Sequence, residues 1–150
     1  MQGVNGNAFE PDKIWFVNIP IGTKGESKLR VTPDIAVSFL GPEGARVLAT
    51  PHLIYKLEFT ARNSILPFLD PGYDCVGTRV DVQHLAATPI GMEVTFQSEL
   101  IAVEERRLMF RVRAFDEKDL ISEGTHERGI INVERFTARV QAKAASIKPE

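Results

Sequence analysis

Glu58 is the first residue of this chain to account for, because it sits inside a segment whose apolar residues keep helical spacing. The run from Val47 to Gly72 predicts one helix, opened by Thr50 as N-cap with Pro51 at the first helical position, and stopped by Asp70-Pro71-Gly72. Ile54, Leu57, Ala61, Ile65 and Leu69 recur at three- and four-residue steps, the stripe that a helix buries. From Thr50 to Leu69 such a helix would span about 30 Å, with Pro67 bending or fraying its last turn. The Glu58 carboxylate falls on or beside the stripe. A buried carboxylate is costly unless paired or protonated, so it calls for a partner or a function; the plainer alternative is a place at the stripe's edge, in reach of water.

His84 is in phase with Val76, Thr78, Val80 and Val82 on a strand of period two, with Cys75, Gly77, Arg79, Asp81 and Gln83 on the opposite face. As a core histidine it would need only a hydrogen-bond partner. Facing Glu58, it would form a partly desolvated carboxylate–imidazole pair suited to acid–base work near neutral pH. Thr50 adds a hydroxyl at a helix N-terminus, where free N–H groups and the helix dipole stabilise a developing negative oxygen; its plain role is a cap. His126 and Arg128 share one face of the last strand, as polar studs on an exposed edge or as a fork for an anion or a gate on the pocket. His52, in the first helical turn, has no evident partner. Cys75 reads as a small buried thiol, since nothing nearby signals a lowered pKa. Phosphate-loop, nucleophile-elbow and two-histidine metal motifs are absent, and spacing gives no support to a metal site from His84, His126 and Glu58, so no metal is expected.

The elements needed to hold these residues fit one domain over residues 1–150, with 1–12 and 142–150 expected to be flexible. The composition, 43% hydrophobic and 25% charged, is that of a globular protein, and a net charge of −2 argues against a nucleic-acid binder. No apolar stretch is long enough to span a membrane, and Met1–Glu10 has neither the basic start nor the apolar run of a signal peptide. The lone cysteine rules out an intrachain disulfide, so a reduced, cytoplasmic setting is expected. Ile14-Trp15-Phe16-Val17 predicts a short strand or docking segment, 21–27 a loop, and Leu29–Thr32 with Ile35–Leu40 an interrupted strand closed by Gly41-Pro42. After the helix come four strands with short turns at Thr88–Gly91, Glu104-Glu105 and 116–119, the last strand running from Leu120 to about Val133. Phe136, Val140, Ala144 and Ile147 then return to helical spacing. Short turns imply antiparallel neighbours. One long helix on one face of a curved antiparallel sheet is an α+β arrangement.

The segments V-L-A-T-P, L-E-F-T-A-R, V-G-T-R-V-D-V-Q-H-L-A-A-T-P-I-G, A-V-E-E-R-R-L-M-F and G-T-H-E-R resemble the hotdog-fold thioesterases of the fluoroacetyl-CoA thioesterase type, over roughly 47–136. The resemblance implies a hotdog fold, a central helix wrapped by its sheet, and a homodimer with the active site at the interface. It implies acyl-CoA as substrate, with no cofactor beyond the coenzyme A that the substrate carries. It puts the family's catalytic threonine, glutamate and histidine on Thr50, Glu58 and His84. The arginine near the pocket mouth falls on Arg128, and the strand glycine facing the thioester on Gly77. Fluorine-selective members carry a phenylalanine-bearing lid between first strand and helix. Here that region is the compact Phe39–Arg46, which does not match it residue by residue; Phe39 is expected to line the substrate site, and a small or medium acyl group is expected. Beside thioester hydrolysis stand two other readings: a non-catalytic binder of acyl-CoA or a related metabolite, and a hydratase acting on an enoyl thioester.

Overall fold

The computed structural model describes residues 18–147, and the segments expected at 1–12 and 14–17 lie outside them. Alternation of inward, mostly apolar and outward polar side chains forms β3 (Glu93–Glu104) and β4 (Arg107–Phe115), while β5 (Leu120–Asn132) turns Ser122, His126 and Arg128 inward. Val94, Phe96 and Leu100 on β3 and Leu108, Phe110, Val112 and Ala114 on β4 are fully buried. β1 (Lys24–Arg30) and β2 (Tyr73–His84) complete a five-stranded antiparallel sheet in the order β1-β3-β4-β5-β2. Since β1 and β2 are the two edges, the chain between them must cross the sheet. α1 (Thr50–Ile65) lies in that connection, and at about 24 Å it is long enough to cover four interstrand gaps of about 4.8 Å each. Leu53, Leu57, Thr60, Ala61 and Ile65 are its buried face. This is the α+β hotdog arrangement implied by the resemblance.

The helix is shorter than its apolar stripe. It ends at Ile65 and passes into a 3-10 turn over Leu66–Phe68, because Pro67 offers no N–H to continue the helical ladder. Ile54 and Leu69 are only half-buried; Leu53 takes the buried place instead. Thr50 is not the N-cap. Ala49 holds that position, and Thr50 is already helical.

Two early elements also differ from expectation. The predicted loop 21–27 contains most of β1, whose inward residues are small and polar rather than apolar. A Cβ at Gly25 would strike Ser98, Ser64 and the Thr60 carbonyl, so α1 closes tightly here, with Ser27 Oγ 2.6 Å from Thr60 Oγ1. The strand expected over Ile35–Leu40 is instead a 3-10 turn at Pro33–Ile35, a single bridge from Ala36 to Leu48, and loop. The Arg46 guanidinium occupies the carbonyls of Pro33 (2.8 Å), Val37 and Ala36, which a strand neighbour would otherwise take. At the other end, Asn132 caps α2 (Val133–Ala145) through the Arg135 N–H at 3.1 Å. Residues 142–145, expected to be loose, form the last turn of that helix.

Candidate active site

The site is built from β2, β5 and two stretches of α1, its N-terminus at Thr50 and its middle at Glu58. The Thr88 turn fixes the start of α1: the Leu48 N–H donates to the Thr88 carbonyl at 2.9 Å, and the Ala49 N–H to the Ile35 carbonyl at 2.9 Å. Thr88, fully buried, is held in turn by the Asp116 carboxylate at 2.8 Å. That leaves Thr50 beside the end of β2, with Thr50 Oγ1 2.7 Å from His84 Nδ1. Its N–H, as the first helical donor, has no acceptor inside the helix. Among the described residues His84 Nε2 is buried without a hydrogen-bond partner. Burial lowers the His84 pKa below the ordinary 6.5, a backbone interaction at Ala86 opposing it, so the ring is neutral near pH 7. Phe39, Leu40, Val47 and Leu85 complete an apolar cleft of about 370 Å³ around this pair. Phe39 is 81% exposed at its rim.

Glu58 is eight residues further along α1, about 12 Å by helical rise, and does not meet His84 in the chain. It faces β2 and β5 instead. Its Oε1 is 3.9 Å from both His126 Nε2 and Arg128 Nη1, and its side chain stays a third exposed, at the edge of the buried stripe. A Cβ at Gly77 would collide with this oxygen, so only glycine lets the strand backbone come so close to the carboxylate. Gly77, Cys75, Arg128, Phe59 and Arg62 line a second cleft of about 360 Å³. Arg62 grips Asp74 with Nε and Nη2, at 2.9 and 2.5 Å, and holds that carboxyl below its usual pKa.

Strict alternation puts Gly77 and His84 on opposite faces of β2. The structure puts both toward the helix. Gly77 pairs with Arg128 and Arg79 with Glu127, so Thr78 is an extra residue that reverses the parity between them. Cys75 and Gly77 thus share a face with Val80, Val82 and His84, whose cross-strand neighbours include Ile130, Arg128, His126 and Ser122.

His126 and Arg128 are not studs on an edge strand. β5 lies between β4 and β2, and the two side chains are 1% and 6% exposed. Arg128 donates to Cys75 Sγ (3.1 Å), the Cys75 carbonyl (2.8 Å) and His126 Nε2 (3.3 Å). Cys75 is the buried thiol expected, its pKa pushed up by burial against the pull of Arg128. What the sequence reading missed is that Glu58 meets His126 rather than His84; the shared face of His126 and Arg128 was the available signal. Among the described residues no cluster of three or more His, Cys, Asp or Glu side chains could hold a metal ion, and no helix is long and apolar enough to cross a membrane.

Residues 31–134 match the family model of the fluoroacetyl-CoA-specific thioesterases. The chain is 39% identical over 129 residues to the fluoroacetyl-CoA thioesterase of Streptantibioticus cattleyicolor, covering 82% of this chain and 93% of that one. It superposes on a solved structure of the fluoroacetyl-CoA thioesterase FlK with a TM-score of 0.77, at 38% identity, covering 83% of this chain and 97% of that one. A Thermus thermophilus protein of the thioesterase superfamily matches with a TM-score of 0.78 and 31% identity, over 88% and 100% of the two chains. By sequence and by fold, this chain belongs to the fluoroacetyl-CoA-specific thioesterase family.

Proposed function

We propose that the protein hydrolyses the thioester of a small or medium acyl-CoA to the free acid and coenzyme A, as a homodimer whose active site is completed across the interface. The observation that carries this reading is the Thr50–His84 hydrogen bond at the open N-terminus of α1, 2.7 Å long. It joins two of the three residues that correspond to the family's catalytic set, in a chain similar to an enzyme whose threonine variant was solved with acetyl-CoA. The third, Glu58, lies at the other half-site with Gly77 and Arg128.

The dimer accounts for that separation. Gly77 and His84 are about 23 Å apart along β2, and among the described residues β2 is an edge strand with no strand on its outer side. Antiparallel pairing of two β2 edges about a two-fold near Val80 and Asp81 would bring Gly77 of one subunit beside the partner's His84. Exposed Phe39, Leu85, Tyr55 and Phe59 supply apolar surface to bury. In the assembled site Glu58 attacks the thioester carbonyl carbon, or takes the proton of the water that does. Negative charge develops on the carbonyl oxygen, stabilised by the N-terminal N–H of α1 or the backbone at Gly77. As the C–S bond breaks, the proton that Glu58 took from water passes by way of His84 to the departing sulfur. Where Glu58 itself attacks, the sulfur takes a proton drawn from solvent through His84, and water then cleaves the acyl–Glu58 anhydride to release the acid. No cofactor is needed beyond the substrate's own coenzyme A, and the lone Cys75 suits a reduced, cytoplasmic setting.

A free-thiol assay across acyl-CoA chain lengths tests the reading. Glu58→Ala and His84→Ala should each lower turnover on the order of 10²–10⁴-fold. Near-wild-type turnover in both variants would overturn it, and affinity for CoA esters with no thiol released over hours would leave a binding protein.

A further inference from the structure

His126 is fully buried and stacked near Phe110 at 6.2 Å, with its Nε2 3.9 Å from Glu58 Oε1. Its Nδ1 is 2.7 Å from the Arg79 carbonyl, which can only accept, so Nδ1 carries the proton. Nε2 is therefore a lone-pair acceptor, and Arg128 Nη1 donates to it at 3.3 Å. Arg79 is the residue on which the ladder resumes after the extra Thr78. One ring thus joins the bulge in β2 to the guanidinium that faces Glu58. The same Nη1 lies 3.9 Å from Glu58 Oε1, too far for a hydrogen bond, which leaves the carboxylate oriented by charge and free to react.

We propose that His126 is a positioning residue of the hydrolysis, a clamp that holds the β2 bulge at one ring nitrogen and aims Arg128 at Glu58 with the other. The proposal rests on the reading of Glu58 as the reacting carboxylate. The bulge is what turns Gly77 toward the helix, and Gly77 is what makes room for Glu58; the bond to Arg79 thus preserves the space, and the bond to Arg128 preserves the charge beside it.

Asparagine and glutamine separate the two bonds. In His126→Asn the amide N–H reproduces the Nδ1 donor to Arg79, but nothing accepts from Arg128. In His126→Gln the amide oxygen reaches the Nε2 position and accepts from Arg128, while the bond to Arg79 is lost. His126→Asn should therefore fold with a thermal midpoint near wild type and lose about 10- to 100-fold in kcat at unchanged KM. His126→Gln should lose less kcat than His126→Asn, since the guanidinium beside the reacting atoms stays aimed and the β2–β5 ladder on either side of Thr78 still holds the bulge, and should show its loss chiefly in thermal midpoint. In a Glu58→Gln background the kcat cost of His126→Asn should vanish, because the clamp acts through that carboxylate. Wild-type kcat in His126→Asn, or equal kcat losses in the two variants that track their midpoints, would overturn the clamp while Glu58→Gln kept only a measurable residual turnover, lowered on the order of 10²–10⁴-fold. A fully active Glu58→Gln would overturn the reading of Glu58 and the clamp with it.

Discussion

At the scale of single residues, Gly77 is the constraint that bears on the reacting carboxylate. Its hydrogen stands where any methyl group would press on Glu58 Oε1. Gly77→Ala should fold, since the position is exposed on an edge strand, with stability within about 1 kcal/mol of wild type. Its kcat should fall on the order of 10²-fold, as expected for a displaced reacting group; unchanged turnover would show that Glu58 has room to spare. Two histidines, His126 fully buried and His84 half-buried, make a second residue-level prediction. Burial lowers the pKa of both His84 and His126 from 6.5, with Arg128 adding to the shift at His126 and the Arg79 carbonyl and nearby carboxylates opposing it. The unfolded chain then binds more protons than the folded one below about pH 6.5, so stability falls as pH drops through that value. Thermal midpoints measured from pH 7 to 5 should decline, and His126→Gln should flatten the slope. A midpoint constant over that range would contradict neutral rings.

At the scale of elements, the β2 bulge decides which side chains can work together. Deleting Thr78 restores simple alternation, so Cys75 and Gly77 can no longer face the helix while His84 does. The deletion variant should keep its β-rich circular dichroism and release no thiol from acyl-CoA above background; wild-type turnover would show that parity is irrelevant. This element also marks the limit of what the sequence reveals. β3 and β4 are legible because Val94, Phe96, Leu100 and Leu108, Phe110, Val112 recur at every second position or nearly so, and β5 from the turn at 116–119 that opens it and the helical spacing that follows it. α1 is legible from its stripe, though Pro67 cuts it short. β1 is hidden because Gly25 and Ser27 face α1 in place of the apolar residues that announce a strand. The bulge is hidden because Thr78 suits either face of a strand, and only the pairing of Gly77 and Arg79 with β5 reveals it. The motif resemblance named Thr50, Glu58 and His84, but helix and strand periods alone did not tell that Glu58 would sit with His126.

At the scale of the whole molecule, the two half-sites along α1 and the proposed dimer predict subunit complementation. In that dimer, Glu58→Ala and His84→Ala subunits, each inactive when paired with its own kind, would form in a mixed pair one site that keeps both wild-type groups. Co-expressed or co-refolded mixtures should recover up to about half of the per-site activity in that mixed species. A mixture as inactive as its parents would place the whole reaction inside one chain. Apolar side chains around each half-site, Phe39 and Leu85 at one and Phe59 at the other, should lose solvent exposure in the same assembly.

The strand order also governs how the protein comes into being. β2 emerges from the ribosome directly after α1, yet its ladder partner is β5, so Tyr73 cannot pair until Asn132 has been made. Until then the strand that carries Gly77 and His84 is a loose ribbon on a nascent chain, and the Arg79 carbonyl has no ring to bind. Closure of the sheet and completion of the catalytic clefts are therefore one late event, and a polypeptide released before β5 would carry the reactive residues with nothing to align them.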